Sequence, residues 1–272
     1  RTRFGEPGAP EEASRRLNGV SLIYRVTPVA TAAVEPLPRD IPAECWWADA
    51  FPPVACNHYP NGDRNLNMLP TMEGGEFLAL GSEAAAQECE RRVRAHWHFL
   101  QTHWDEFQHY RIAWIAPALG VREGSRIVCE TMLTEHDLRQ GLSGQAHEDI
   151  IAVADHAMDR HGEGGGCGEL EEPYGIPFRA LVPQGVDNLL IACRGAGFSS
   201  IAASSCRLSR TMMQLGQAAG TAVALAKELG TELRHVPPDR LRKRLADAHV
   251  QMTWPLTETL RRHLEDEAAA AI

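Results

Sequence analysis

Apolar and polar positions alternate between residues 17 and 29: Val20, Leu22, Tyr24 and Val26 fall on one side, with Ser21, Arg25 and Thr27 between them. A period of two predicts a half-buried strand. Past Ser82 the period lengthens. Val93, Trp97, Leu100, Trp104 and Phe107 recur at helical steps and predict a helix to about Tyr110, capped by Ser82 with Glu83 in its first turn. The prolines from Pro28 to Pro60 exclude regular helix between these two and predict loops with short strands, anchored by Trp46 and Trp47. Asn61-Gly62-Asp63 is a turn signal, and a short alternating strand is expected over 65–70. Further strands are expected over 114–118, 127–133 and 178–182, a capped helix or turn from Thr134, and a helix over 147–156. A glycine-rich acidic loop follows over 162–172, and the chain closes with helices from Arg240 and beyond Pro255, fraying from Ala268.

One stretch organises the rest. Leu189, Leu190, Ile191 and Ala192 form a continuous apolar run between Asn188 and Gly195, the pattern of a strand covered on both faces. After a Gly/Ser loop, Leu208, Met212, Leu215, Ala219, Ala222, Ala226 and Leu229 share one helical face. Gly216 and Gly220 lie inside this helix, each at a cost of about 1 kcal/mol relative to alanine, which predicts close approach of another surface. The helix start, expected just after Ser204 and Ser205, offers free N–H groups and a positive dipole end, and Arg207 adds a full charge.

The segments Leu119-Gly-Val-Arg-Glu-Gly-Ser-Arg-Ile, Tyr174-Gly-Ile-Pro-Phe-Arg-Ala-Leu-Val-Pro, Val186-Asp-Asn-Leu-Leu-Ile-Ala-Cys-Arg and Leu215-Gly-Gln-Ala-Ala-Gly-Thr-Ala occur in this order. Together they resemble the C-terminal two-thirds of the FAD-dependent oxidoreductase family of the glutathione-reductase-like superfamily. The resemblance implies an α/β chain: a mixed-sheet substrate or cap domain over 1–177, the returning strand and helix of a Rossmann-like FAD-binding domain over 178–235, and a helical tail over 236–272. It also implies that the helix start faces the flavin pyrimidine, with Arg194, Gly195, Ser205, Arg207, Leu208 and Ser209 on the flavin side. Arg122 and Glu123 match an Arg-Glu pair at the substrate–flavin boundary, and His161 matches an Asp-x-His histidine on the substrate side. Two departures stand out: Cys193 replaces the usual Gly of Ala-Gly-Arg, and Gly124 the usual Ser of Arg-Glu-Ser-Arg.

Composition narrows the function classes. With 36 acidic against 27 basic residues and a net charge of −9, the chain lacks the basic footprint of a nucleic-acid binder. Its seven cysteines form no CxxC pair, which suits free thiols in a reducing, cytoplasmic setting, and no run of apolar residues is long enough to span a membrane. Neither GxGxxG nor GxxxxGK[ST] occurs; Gly195-Ala-Gly has Ser200 where the third glycine belongs. In the resembled family the dinucleotide fingerprint lies upstream, and the ragged opening from Arg1 reads as a start in mid-chain. FAD is therefore expected in the complete protein and not to be retained by this chain alone.

Two other classes stay open at this stage: a cofactor-free remnant of the fold, and a metal-dependent hydrolase using His156, Asp159 and His161. The leading expectation is hydride or electron transfer from a small-molecule substrate to flavin, with Arg122, Glu123 and His161 at the chemistry. A homo-oligomer is open. The seryl and cysteinyl residues of 193–206 lack a GxSxG elbow and read as loop hydroxyls and a buried Cys206 thiol. His96, His98, His103 and His109 scatter round their helix and read as solvated or Trp-packed.

Overall fold

A computed structural model describes residues 2–3, 5–6, 17–162 and 165–270. In chain order the elements are β1 (Thr2–Arg3), β2 (Tyr24–Pro28), β3 (Val54–His58), β4 (Arg64–Met68), α1 (Gly74–Leu80), α2 (Ser82–His103) and β5 (Tyr110–Ile115). They continue with β6 (Arg126–Ile127), α3 (Glu135–Gly144), β7 (Ile150–Ala154), β8 (Met158–Arg160), β9 (Gly166–Gly168), β10 (Tyr174–Pro177), α4 (Ser200–Cys206), α5 (Ser209–Leu229), α6 (Pro238–Asp247) and α7 (Glu258–Ala270). The chain is mixed α/β with small sheets. Every ladder between these strands is antiparallel, so small antiparallel sheets, some of them joining strands distant in sequence, stand where the sequence led to a mixed sheet. Two compact units result, one holding residues 123–160 and 166–270 with 2–3 and 5–6, the other holding 17–122, 161–162 and 165.

The second unit is a four-stranded sheet in the order β3-β4-β2-β5 with α2 against one face. Alternation is the cause: Val20, Leu22, Tyr24 and Val26 are all buried, together with Leu66 and Met68 of β4, and they meet Val93, Trp97 and Leu100 of α2. Two of the polar groups in this core are paired across it. The Tyr24 hydroxyl meets His96 Nδ1 at 2.9 Å, and Trp97 Nε1 donates to Glu35 Oε2 at 2.5 Å. α2 stops at His103, short of Tyr110, because Trp104 is extended at φ −134° and a 3-10 turn over Asp105–His109 leads straight into β5. Gly81 occupies the N-cap position and Ser82 is the first helical residue, so the expected serine cap is not made.

In the other unit, β7 and β10 pair antiparallel and are buried on both faces. The helix expected over 147–156 is this strand β7: Ile150, Ile151 and Val153 are β-branched, and the run is too short and too buried for an amphipathic helix. The strand expected over 178–182 is a 3-10 turn, Phe178–Leu181, while the ladder residues lie just before it in β10. Thr134 and Asp137 do form a capping box at α3. The run 189–192 is no ladder strand. Ile191 N donates to Leu181 O at 2.8 Å, Leu189 is 45% exposed, and no partner strand flanks the run among the described residues. Near the start of the chain, β1 pairs antiparallel with β6.

The single long helix expected after Ser204 is two. Ser199 caps α4, its Oγ accepting from Ala202 N at 3.1 Å, and Arg207 and Leu208 break the run before α5. Leu215, Ala218, Ala222 and Leu225 of α5 are buried, against Leu241 and Leu245 of α6 among others. Gly216 and Gly220 face solvent, and a Cβ on either would meet nothing within 4 Å, so they are not the site of close approach. Gly197 is: a Cβ there would lie 2.3 Å from Thr131 O and 2.9 Å from Ala180 O. The acidic loop carries β9, which pairs with β8; residues 163 and 164 lie outside the described residues. α6 begins at Pro238, two residues before the expected Arg240, with proline in its first turn, and α7 runs through Ala270, past the expected fraying point at Ala268.

Candidate functional site

The loop 193–199 is laid down by backbone bonds. Ala196 N donates to Cys193 O at 3.0 Å, Ile127 N to Gly195 O at 2.8 Å, Gly197 N to Ala180 O at 2.8 Å and Ser199 N to Leu133 O at 2.8 Å. Gly195 N also points at the exposed Cys193 Sγ, at 3.4 Å. Arg194 and Gly195 thus form a tight turn on a fixed base. The start of α4 is closed by the chain itself, with Ser199 Oγ on Ala202 N and Glu6 Oε1 on Ile201 N at 2.6 Å.

α5 begins differently. Leu208 is its N-cap and offers no side-chain acceptor, so the first-turn amides of Ser209 and its neighbours are not claimed by a cap. Directly before them stands Arg207, with a side chain 10% exposed, whose Nη2 donates to Asp159 Oδ2 at 3.2 Å and whose Nη1 donates to Asp159 O at 3.3 Å. Burial pushes the Arg207 guanidinium below its ordinary pKa, and the Asp159 carboxylate works against that shift. A buried cation at an uncapped helix start is a donor set for a negatively charged or carbonyl-bearing group.

Other residues expected at the chemistry have structural partners. Glu123 Oε1 accepts from Arg126 Nη1 at 2.6 Å, and both side chains are essentially excluded from water. Arg126 also donates to Gly124 O at 3.0 Å and to Gly5 O at 3.1 Å. Ser205 is buried inside α4 rather than at a helix start: its Oγ donates to His156 O and receives the Tyr174 hydroxyl at 2.7 Å. Burial holds the Tyr174 phenol well above its usual pKa and pushes the Cys206 thiol up to about 12, so neither ionises near neutrality. Ser209 is exposed, and its neighbour Arg210 pairs with Asp155 at the surface.

Arg122 and His161 belong to the other unit, and they converge on one segment. Arg122 Nη1 donates to Gly19 O and to Ser21 Oγ, each at 2.9 Å, while His161 N donates to Asn18 Oδ1 at 2.8 Å and His161 O accepts from Gly19 N at 2.8 Å. Glu123, next in sequence to Arg122, goes to Arg126 instead. The hydrolase alternative finds no support: His156 Nδ1 donates to Ala157 O at 2.7 Å, Asp159 is engaged by Arg207, and no metal-capable group of three is present among the described residues. Two partners were not legible in the sequence. Glu6 and Tyr174 reach the α4 region from 195 and 31 residues away, and nothing local marks either one.

Among the described residues no helix is long and apolar enough to cross a membrane. No curated protein and no solved structure matches the chain. The sequence model of a family described as FAD dependent oxidoreductase matches residues 24–245, which takes in the Arg122 segment, the 193–199 loop and the whole of α5. That span is most of the 272 residues, and the chain belongs to the FAD dependent oxidoreductase family.

Proposed function

We propose that the protein serves as part of a flavin oxidoreductase acting on a small molecule, with the flavin side built on Arg207 and the start of α5. The observation that carries this reading is the uncapped α5 start directly behind a buried arginine. FAD, when bound, supplies the hydride- or electron-accepting chemistry. The chain's own residues suit its pyrimidine end: the amides at Leu208 and Ser209 and the Arg207 guanidinium would hold it as donors and would favour negative charge there. Arg194 and Gly195 extend that positive surface. Ser205 holds Tyr174 and the His156 carbonyl and so anchors α4. On the substrate side, Arg122 and His161 order the 18–21 segment, while Glu123 keeps Arg126 in place.

The sequence divisions at 177 and 235 serve this reading as functional boundaries, separating substrate side, flavin side and tail. Seven free thiols suit a reducing compartment, and a cytoplasmic location is part of the proposal. The test is Arg207→Ala in the flavin-loaded protein. Loss of a charge-assisted bond worth about 1.5–3 kcal/mol should weaken the reduced, anionic flavin more than the oxidised form. A lowered reduction potential is expected. If potential and FAD affinity both stay at wild-type values, Arg207 is not on the flavin side.

A further inference from the structure

Asp159 reaches Arg207 through the packing of one strand on one helix. Met158 fixes β8 in the core of its unit, and the ladder with β9 places Asp159 opposite Cys167. β8 packs on α4, and Arg207 is the C-cap of α4 and stands directly before Leu208, the N-cap of α5. The carboxylate therefore meets the guanidinium at the junction of the two helices, although 48 residues separate them in sequence. Among the described residues Asp159 is the only partner of Arg207.

This pairing leaves much of the arginine unclaimed. Of the five N–H donors of a guanidinium, one on Nη2 goes to Asp159 Oδ2 at 3.2 Å and one on Nη1 to the Asp159 main-chain carbonyl at 3.3 Å. Both are longer than the about 2.7–2.9 Å of a strong charge-assisted bond. Any residue at position 159 would offer the carbonyl, so what the aspartate side chain adds is negative charge. Glu123 also attracts Arg207 but is committed to Arg126 at 2.6 Å, and Arg194 repels it. Asp159 is thus the carboxylate in contact with Arg207, and its charge opposes the positive potential that the guanidinium and the start of α5 create together. A fixed negative charge beside a redox group disfavours the form that has taken up electrons.

We propose that Asp159 lowers the reduction potential of the bound flavin by offsetting part of the positive charge at the start of α5. This rests on the flavin-side reading of Arg207 and adds an opposing group to it. Potentiometric titration of the flavin-loaded protein is the test. Asparagine keeps an oxygen for Arg207 Nη2 and removes the charge, so Asp159→Asn should favour reduced over oxidised flavin about tenfold, a rise of about 30 mV for a two-electron couple. Asp159→Glu, which keeps a carboxylate, should stay near wild type. Asp155→Asn, at a surface carboxylate paired with Arg210, should not move the potential, because both of those side chains are more than half exposed. Asp159→Asn leaves a buried cation without its carboxylate, so the comparison is repeated where that cation is gone: Arg207→Gln with Asp159→Asn should lie above Arg207→Gln alone. If Arg207→Ala lowers the potential while loss of the Asp159 charge raises it in neither background, this inference fails and the Arg207 reading stands. If Arg207→Ala changes nothing, both fail, since any shift at position 159 would then arise without Arg207. A rise with Asp155→Asn equal to that with Asp159→Asn would also overturn it.

Discussion

Replacing Glu123 by alanine should destabilise the unit that contains it rather than merely slow a reaction. The Glu123 carboxylate and the Arg126 guanidinium are 2.6 Å apart, with side chains 0% and 1% exposed. After the substitution the guanidinium keeps, among the described residues, only the carbonyl partners Gly124 O and Gly5 O, and its buried charge has lost its carboxylate. Breaking one side of such a pair costs about 3–5 kcal/mol. In a unit of this size each kcal/mol moves the midpoint by about 2–4 °C, so the melting temperature should fall by about 6–20 °C. Scanning calorimetry with urea titration reads both quantities. The companion variant Glu123→Leu with Arg126→Met removes both charges and should recover a large part of the loss, since a matched apolar pair carries no desolvation cost. A single variant that loses under about 1 kcal/mol would refute the reasoning, because the pair would then be hydrated in solution. Had Glu123 served proton transfer, Glu123→Gln would fold as wild type and lose turnover alone.

Two further outcomes follow from the same structure. His96 is buried against Tyr24, and burial pushes its pKa down to about 4 from the ordinary 6.5. The unfolded chain therefore binds a proton that the folded one refuses between those values, so stability is fully present above about pH 6.5 and falls toward pH 4, by about 3 kcal/mol in all. Urea midpoints taken at pH 7.5, 5.5 and 4.5 should show this slope, and His96→Gln should flatten it; an equal slope in both proteins would assign it elsewhere. Gly216→Ala and Gly220→Ala should each stabilise by about 0.5–1 kcal/mol, because both sites are helical and open to solvent, whereas Gly197→Ala should cost about 1–3 kcal/mol by pressing on Thr131 O. Equal melting temperatures for all three variants would contradict the assignment of which glycine is crowded.

Where the sequence was legible, a single periodicity decided the outcome. The alternation through Val20, Leu22, Tyr24 and Val26 is recovered residue by residue in the core of the sheet unit, and the 3.6-residue stripe of α2 points at it. Reading failed where the run was too short to show its period: 150–154 is apolar throughout, and helix and strand differ there only by a ladder partner at Tyr174–Pro177, which no local pattern announces. Run 189–192 failed in the opposite sense, since its composition favours a strand and the structure supplies a single backbone bond. The glycines misled for a different reason. Gly216 and Gly220 were conspicuous because helices seldom hold them, yet they are open while Gly197 is crowded, by Thr131 and Ala180, which are distant in sequence. Of the expected site residues, Arg207 was visible as a charge near a helix start, and its partner Asp159 was not: a carboxylate 48 residues away looks the same in sequence whether it binds a metal or an arginine.

The two buried arginines of this unit show which charge is spoken for. Arg126 has a carboxylate at 2.6 Å and two carbonyls near 3 Å, within the range of strong charge-assisted bonds, and its partner is as dry as it is. Arg207 has one carboxylate at 3.2 Å and that residue's carbonyl at 3.3 Å, and Asp159 is itself 26% exposed and shares its charge with water. For Arg207 burial outweighs the attraction, which is why its pKa goes down although a carboxylate is in contact, and the nearby Arg194 pushes in the same direction. A guanidinium in that condition gains free energy from any further negative partner, while Arg126 would gain little. The start of α5 adds a positive potential at the same place, with no cap of its own to neutralise it. The two charges therefore differ in how completely they are matched: Arg126 is satisfied by Glu123 within the fold, and Arg207 keeps the larger unmet demand, which is the ground for the flavin-side role proposed for it.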